Sequence, residues 1–336
     1  MNNRIESFNY LRMLAILFIV TGHICHTITN AHNIAWYFGY TFVYVFFLLS
    51  ALLLGLKYKP LLSWKGFMRK RFIRICCVYY PFLVISIAIL LISKQNISFS
   101  SIAFHFTYTN YFLQSNICGV SFGHLWFMSM IMMCYFFTYI TFHTEYSTRT
   151  ARYLLNINTE NTNVNKIKWG GVILLITLLM FLTSALHLPG RLILIIISFI
   201  FFYLNAESIL KHVKKLSRHN VLIGFIIINI ITITGFIYYN LDSYKVLRDW
   251  LTFLSAITWI LLFYKNDSIF KKNRTIDFIS NISFEIYLIH HPLILGKFSL
   301  MQFFNIPIAI TVILIITIIL SYFLSKIGNF IYNKLK

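Results

Sequence analysis

Arg12 and His23 are two residues of the first apolar segment whose side chains can do chemistry, and ten residues separate them. In an α-helix their eleven-position spacing leaves the side chains about 20° apart around the axis and about 16 Å apart along it. If the segment crosses a membrane, a cation and a titratable imidazole share one stripe, where ionisable groups are costly and usually functional. The alternatives are that Arg12 reaches to the interface and that His23 is a packing residue.

Ser283, Tyr287 and His290 form a second polar stripe, near the C-terminal end of the chain. Their spacings of four and three place them on one helix face. Pro292 has no N–H, so the carbonyl of Leu288 loses its helical partner. We therefore expect a kink that opens a cavity wall beside the histidine.

Lys70, Arg71 and Arg74 form a basic cluster at the start of the third apolar segment. Lys70 and Arg74 are four residues apart and Arg71 and Arg74 are three apart, so they share a helix face. Guanidinium groups bind phosphates through paired hydrogen bonds, which suits a phosphate-bearing donor in the cytosol. Such a cluster is more often a topological anchor or a contact with lipid headgroups.

The stretch from Lys94 to Gly123 is aromatic and polar and is predicted to lie outside the membrane. Aromatic rings with amide and hydroxyl neighbours suit the apolar faces of sugars. An interfacial aromatic belt explains the same residues and is the commoner case. The next apolar segment begins at the external face with His124 and Trp126.

The composition is that of a membrane protein. Of 336 residues, 59% are hydrophobic and 11% are charged, against about 25% charged residues in a typical soluble domain. The net charge of +20 does not indicate nucleic-acid binding, because the basic residues form short clusters between apolar runs, as cytoplasmic loops do. Five cysteines without C-x-x-C spacing indicate neither a disulfide framework nor a zinc site. No cleavable signal sequence is recognisable.

The apolar runs predict an all-α polytopic bundle with about ten transmembrane helices and both termini in the cytoplasm. The predicted spans are 8–29, 36–56, 75–93, 124–142, 169–186, 192–206, 220–239, 247–264, 278–300 and 308–327. In this orientation 24 of the 29 Lys and Arg residues lie inside, as the positive-inside rule requires. The five left in outside loops are Lys94, Arg191, Lys245, Arg248 and Lys297. The segment from His143 to Lys168 reads as a cytoplasmic linker.

Five short motifs occur along the chain. They are Arg12 with His23, Phe46-Phe-Leu-Leu-Ser50-Ala51, Lys70-Arg71-Phe-Ile-Arg74, Trp126-Phe127, and the run from Ser283 to His290. In this order, and on compatible sides of a membrane, they make nearly the whole chain resemble the bacterial integral-membrane acyltransferase 3 family. Two positions depart from the family pattern, since Ala51 replaces the usual glycine and Cys77 stands where a proline is typical.

The resemblance implies acyl transfer from cytosolic acyl-coenzyme A, most often acetyl-CoA, to a hydroxyl of a surface or lipid-linked carbohydrate. Arg71 and Arg74, with Lys70, would hold the nucleotide phosphates while the pantetheine arm reaches toward His23, about 22 Å from the inner end of its helix. His23 would act as a general base or carry the acyl group itself. Arg12 would neutralise phosphate or thiolate charge.

The remaining site residues have expected roles in handling the acceptor. His290 and Tyr287 would orient the acceptor or stabilise the oxyanion, and four more residues would contact the substrate: Ser50, His124, Trp126 and Ser283. We expect one acyltransferase 3-like transmembrane domain over residues 1–336, with no appended soluble domain and no metal. The expected partners are acyl-CoA, a carbohydrate acceptor and membrane lipid, without nucleic acid, and the expected location is the cytoplasmic membrane. The alternative hypothesis is that the chain is a transporter or exporter without catalysis.

Overall fold

The long apolar segments fold as α-helices, because inside a membrane each backbone N–H and C=O must find its partner within the segment. The computed structural model describes residues 5–28, 32–57, 64–111, 113, 117, 119–143, 162–185 and 191–335. Over these residues the structure contains thirteen α-helices and no strand. They are α1 Glu6–Thr27, α2 His32–Lys57, α3 Trp64–Ile92, α4 Phe99–Phe106, α5 Trp126–His143, α6 Thr162–Ala185, α7 Arg191–Leu204, α8 Ala206–Lys215, α9 Arg218–Tyr238, α10 Lys245–Lys265, α11 Arg274–Asn281, α12 Ser283–Ile294 and α13 Ile306–Leu335. A 3₁₀ segment, Gly119–Leu125, leads into α5.

The helical polytopic bundle predicted from the sequence is confirmed. In the described part of the chain, seven helical segments are long and apolar enough to cross a membrane. Three predicted spans differ in detail. The fifth is apolar only over Gly171–Thr183, and the sixth corresponds to α7, which is bent by 77° relative to α8. The ninth consists of two short helices, α11 and α12. Most of the predicted cytoplasmic linker, residues 144–161, lies outside the described residues.

Helix α2 lies at the centre and contacts α1, α7, α9 and α10. Its apolar side chains are fully buried at Phe42, Phe47 and Leu48. Helices α1 and α2 approach each other closely at Gly22, where an added Cβ would meet the carbonyl oxygen of Ala35 at 3.1 Å. Because the next residue is His23, this tight crossing fixes the depth and direction of its imidazole.

The start of α1 is tied to the loop between α10 and α11. The backbone N–H of Ser7 donates to Oδ1 of Asp267 at 2.9 Å, and the hydroxyl of Tyr10 donates to the carbonyl of Lys271 at 2.9 Å. The side chain of Asn9 donates to Asp277 in α11 at 3.2 Å. Helix α1 is therefore held at its beginning as well as at its crossing with α2.

The aromatic stretch predicted to lie outside the membrane instead folds back along α3. The hydroxyl of Tyr80 donates to the carbonyl of Phe106 at 3.1 Å, and the hydroxyl of Tyr108 lies 3.2 Å from Sγ of Cys76. The ring of Tyr108 also contacts that of Phe72, near the basic cluster of α3. The prediction of a wholly external stretch is therefore wrong for this part, because its polar groups find partners inside the bundle.

Candidate active site

Four imidazole rings meet where α1, the 3₁₀ segment and α12 come together. The ring centroid of His23 lies 4.5 Å from that of His291 and 5.2 Å from that of His290. The ring of His124 stacks on that of His291 at 4.5 Å and lies 5.6 Å from that of His290. We call His23, His124, His290 and His291 the histidine cluster.

Pro292 explains how the 3₁₀ segment is attached to α12. A proline has no N–H, so the carbonyl four residues earlier, that of Leu288, needs another donor. Nε2–H of His124 donates to this oxygen at 3.1 Å. The hydroxyl of Tyr287 donates in the reverse direction, to the backbone carbonyl of His124 at 2.6 Å. The two elements are thus joined by a reciprocal pair of hydrogen bonds.

A third connection lies at the end of α12. Nδ1–H of His291 donates to the carbonyl of Ser121 at 3.1 Å, and the backbone N–H of Lys297 donates to the hydroxyl of the same serine at 3.3 Å. Gly296 makes this approach possible, since its φ of +85° lies in the left-handed region and a Cβ there would collide with the serine hydroxyl.

These hydrogen bonds define where each ring carries its proton. A carbonyl oxygen only accepts, so the hydrogens lie on Nε2 of His124 and on Nδ1 of His291. Nδ1–H of His290 likewise donates to the carbonyl of Ile286 at 2.9 Å. The opposite nitrogens of His124 and His290 are buried and have no hydrogen-bond partner among the described residues. In their neutral forms these rings therefore present lone pairs.

Solvent access separates His23 from the other members of the cluster. The exposed fractions of His124, His290 and His291 are 3%, 0% and 4%. His23 is half-buried. His23 is therefore the most accessible residue of the histidine cluster, and the other three rings are packed around it.

Arg12 belongs to a second group of side chains, together with the basic cluster of α3. Arg12, Arg71 and Arg74 all lie close enough to the buried hydroxyl of Tyr135 for their charges to act on it. Arg71 and Arg12 are half-buried, whereas Arg74 and Lys70 are exposed. We call the end of the bundle that carries these residues the basic end.

The remaining predicted site residues lie outside the histidine cluster. Ser50 is half-buried in α2, and no described residue is hydrogen-bonded to its hydroxyl. The hydroxyl of Ser283 donates to the carbonyl of Ser280 at 2.8 Å, across the break between α11 and α12. The ring of Trp126 lies 5.4 Å from the guanidinium of Arg191.

Sequence reasoning missed His291 and His26. A helical wheel places His291 about 100° from His290 and so off the polar stripe, but the 3₁₀ segment wraps around α12 and makes use of both faces. His26 lies within electrostatic range of His23 and His291. Its position three residues after His23 is the signal that could have identified it.

Comparison with known proteins gives one result. A family model described as an acyltransferase domain matches residues 5–326, a range that contains the whole histidine cluster and the arginines of the basic end. No curated protein matches the chain, and no solved structure matches it.

Proposed function

Since the chain belongs to the acyltransferase 3 family of membrane proteins, we propose that it moves an acetyl group from cytosolic acetyl-CoA to a hydroxyl of a surface or lipid-linked carbohydrate, with His23 as the base. The observation that carries the assignment is the access to His23. It is half-buried, whereas the three rings around it are buried. The proposed location is the cytoplasmic membrane, with both termini inside.

The basic end suits the phosphates of the donor. Three guanidinium groups, from two helices, lie within electrostatic range of the hydroxyl of Tyr135, and guanidinium is the side chain best matched to phosphate oxygens. Arg12 and His23 are on the same helix, about 16 Å apart along its axis. A donor held by its phosphates at the basic end would therefore direct its thioester toward the histidine cluster.

His23 would act as a general base in a single displacement. Its free nitrogen takes the proton from the acceptor hydroxyl as the oxygen attacks the thioester carbonyl. The carbon–sulfur bond then breaks, and the departing thiolate takes the same proton back. The products are the carbohydrate ester and free coenzyme A, and His23 returns to its neutral form.

The structure favours an orienting role for His290 and a positioning role for Tyr287. The hydroxyl proton of Tyr287 is already donated to the carbonyl of His124, so it is not available to an oxyanion. Nε2 of His290 has a lone pair and no partner among the described residues, so it can accept a hydrogen bond from a second hydroxyl of the acceptor. Close packing of the four rings also favours a small acyl group.

The test measures transfer from radiolabelled acetyl-CoA into glycan in membranes that contain the full chain. Because a general base contributes about 100-fold or more, His23→Ala and His23→Gln should each lower acetyl transfer by about that factor at equal protein levels. His219→Ala is the matched control, since His219 is an exposed histidine in α9. Undiminished transfer by both His23 variants would refute the assignment.

The same assay separates the enzyme from its alternatives. An exporter without catalysis would yield no labelled ester with the wild-type chain, and glycan flux would fall in the His23 variants without a change in the acetylation of the product. An acyl group carried by His23 would instead leave label on the wild-type protein when no acceptor is added. Labelled protein would show that His23 carries the acyl group itself and does not act only as a base.

A further inference from the structure

A further group of ionisable side chains, distinct from the histidine cluster and from the basic end, lies inside the bundle. The ring of Tyr40 in α2 lies close to two guanidinium groups, with that of Arg248 at 4.4 Å and that of Arg191 at 4.9 Å from the ring centroid. Arg248 and Asp249 have exposed fractions of only 4% and 3%. Arg191 and Arg248, which the sequence assigns to outside loops, are therefore packed against helices. We call Arg191, Arg248, Asp249, Tyr40 and Tyr44 the arginine cluster.

The charged side chains of this cluster are two guanidinium groups and one carboxylate. Nε and Nη2 of Arg248 both lie 2.9 Å from Oδ1 of Asp249, which makes a close ion pair. Arg191 lies within electrostatic range of Asp249, but no described residue forms a hydrogen bond or ion pair with its guanidinium. A charge held away from water is stable when it is paired, so the half-buried guanidinium of Arg191 is suited to an anion.

Tyr44 provides an independent indication of a missing partner. Its side chain has an exposed fraction of 3%, and its hydroxyl has no hydrogen-bond partner among the described residues. Arg191, Arg248 and Asp249 all lie close enough for their charges to act on this hydroxyl. A buried donor without an acceptor costs about 1–3 kcal/mol. An anionic ligand bound by Arg191 would supply that acceptor.

The arginine cluster is continuous with the histidine cluster. The ring of Trp36 lies 5.2 Å from that of His26 and stacks on that of Tyr40 at 5.4 Å. On the other side, Trp126 contacts Arg191 and is only two residues from His124. The half-buried rings of Trp36, Tyr40 and Trp126 therefore connect the two clusters.

We infer that the arginine cluster binds an acidic group, a carboxylate or a phosphate, carried by the carbohydrate acceptor. This inference rests on the proposed function for the identity of the acceptor, but the binding itself requires no acyl transfer. The guanidinium of Arg191 and the hydroxyl of Tyr44 hold the acidic group, and the rings of Trp36 and Trp126 border the sugar. The acceptor is thereby selected for charge and placed with a hydroxyl toward His23.

Binding is measured by tryptophan fluorescence of the purified full chain in phosphatidylcholine nanodiscs, without acetyl-CoA. Glucuronate and glucose 1-phosphate are the acidic probes, and glucose is the neutral one. We expect the acidic sugars to change the fluorescence at concentrations at least ten times lower than glucose does. Arg191→Gln should weaken their binding about tenfold or more. Tyr44→Phe, which removes one oxygen atom, should weaken it severalfold and covers the case in which the arginine variant fails to fold.

Lys245→Gln is the matched control, because Lys245 is an exposed cation on the same helix as Arg248. Equal binding of glucose and glucuronate would overturn the inference, as would wild-type affinity in both variants. Loss of acidic-sugar binding when phosphatidylglycerol is added to the nanodiscs would assign the site to a lipid headgroup and would also overturn it. Acetyl transfer separates the two proposals: activity retained in His23→Ala refutes the proposed function, whereas an unchanged KM for the acceptor in Arg191→Gln refutes the acidic-group site alone.

Discussion

The hydrogen bond between His124 and Leu288 should exist because of Pro292, and a double-mutant cycle can measure this dependence. In the wild type, His124→Leu leaves the carbonyl of Leu288 without its donor, which is 3.1 Å away. In a Pro292→Ala background, residue 292 gains an N–H that can form the ordinary helical bond to the same carbonyl. The histidine should then matter less to stability.

The expected coupling energy follows from the cost of an unsatisfied carbonyl. Leaving a buried acceptor without a partner costs about 1–3 kcal/mol, and side-chain hydrogen bonds in membrane proteins contribute about 0.6–1.7 kcal/mol. We therefore expect His124→Leu to cost about 1 kcal/mol less in the alanine background. The stacking of His124 on His291 is lost in both backgrounds, so it cancels in the cycle.

The assay is denaturant unfolding of the purified full chain in micelles, followed by circular dichroism. Pro81→Ala is the matched control. Pro81 also lies inside a membrane helix, α3, but it is not four residues after Leu288 and so does not affect the carbonyl that His124 binds. The cycle of His124→Leu with Pro81→Ala should show no coupling. Equal costs of His124→Leu in the wild-type and Pro292→Ala backgrounds would refute the reasoning.

Three further outcomes are expected. Arg74→Gln should raise the KM for acetyl-CoA about tenfold, because one charged hydrogen bond is lost. Lys272→Gln, at an exposed position, is the control and should leave this KM unchanged. Steady-state kinetics with each substrate varied in turn tests this prediction. Gly296→Ala should lower kcat and thermal stability by displacing Ser121, and Gly224→Ala, at an open position, is its control. Asn229→Ala should lower the free energy of unfolding by about 1–3 kcal/mol, because Oδ1 of Asn229 accepts from two buried hydroxyls, with no change in either KM.

The sequence predicts the polar stripe of α12 well, because side-chain direction on a helix follows from spacing alone. Tyr287 and His290 lie on one face, and their rings are 5.8 Å apart. The contact of His291 with Ser121 could not be predicted in this way. It depends on the path of the 3₁₀ segment, which is set by a positive φ at Gly296 and by the carbonyl that Pro292 frees, and neither feature has a helical period.

The arginine cluster escapes sequence reasoning for a different reason. Hydropathy and loop charge place Arg191 and Arg248 at the outer ends of their helices and assign them to water. The structure surrounds them with Tyr40, Trp126 and Asp249. Aromatic faces and a neighbouring carboxylate make burial of a guanidinium affordable, and this compensation comes from helices distant in sequence. Only the assembled bundle reveals it.

Arg12 and His23 have different electrostatic surroundings, although both lie on α1. Arg12 lies with the arginines of the basic end, while the titratable neighbours of His23 are other histidines. In the proposed reaction, the phosphates of the donor would remain at the basic end, and only the uncharged thioester would have to enter the packed histidine cluster. The proton would then move from the acceptor hydroxyl to His23 and on to the thiolate, so charge would be separated only during the reaction.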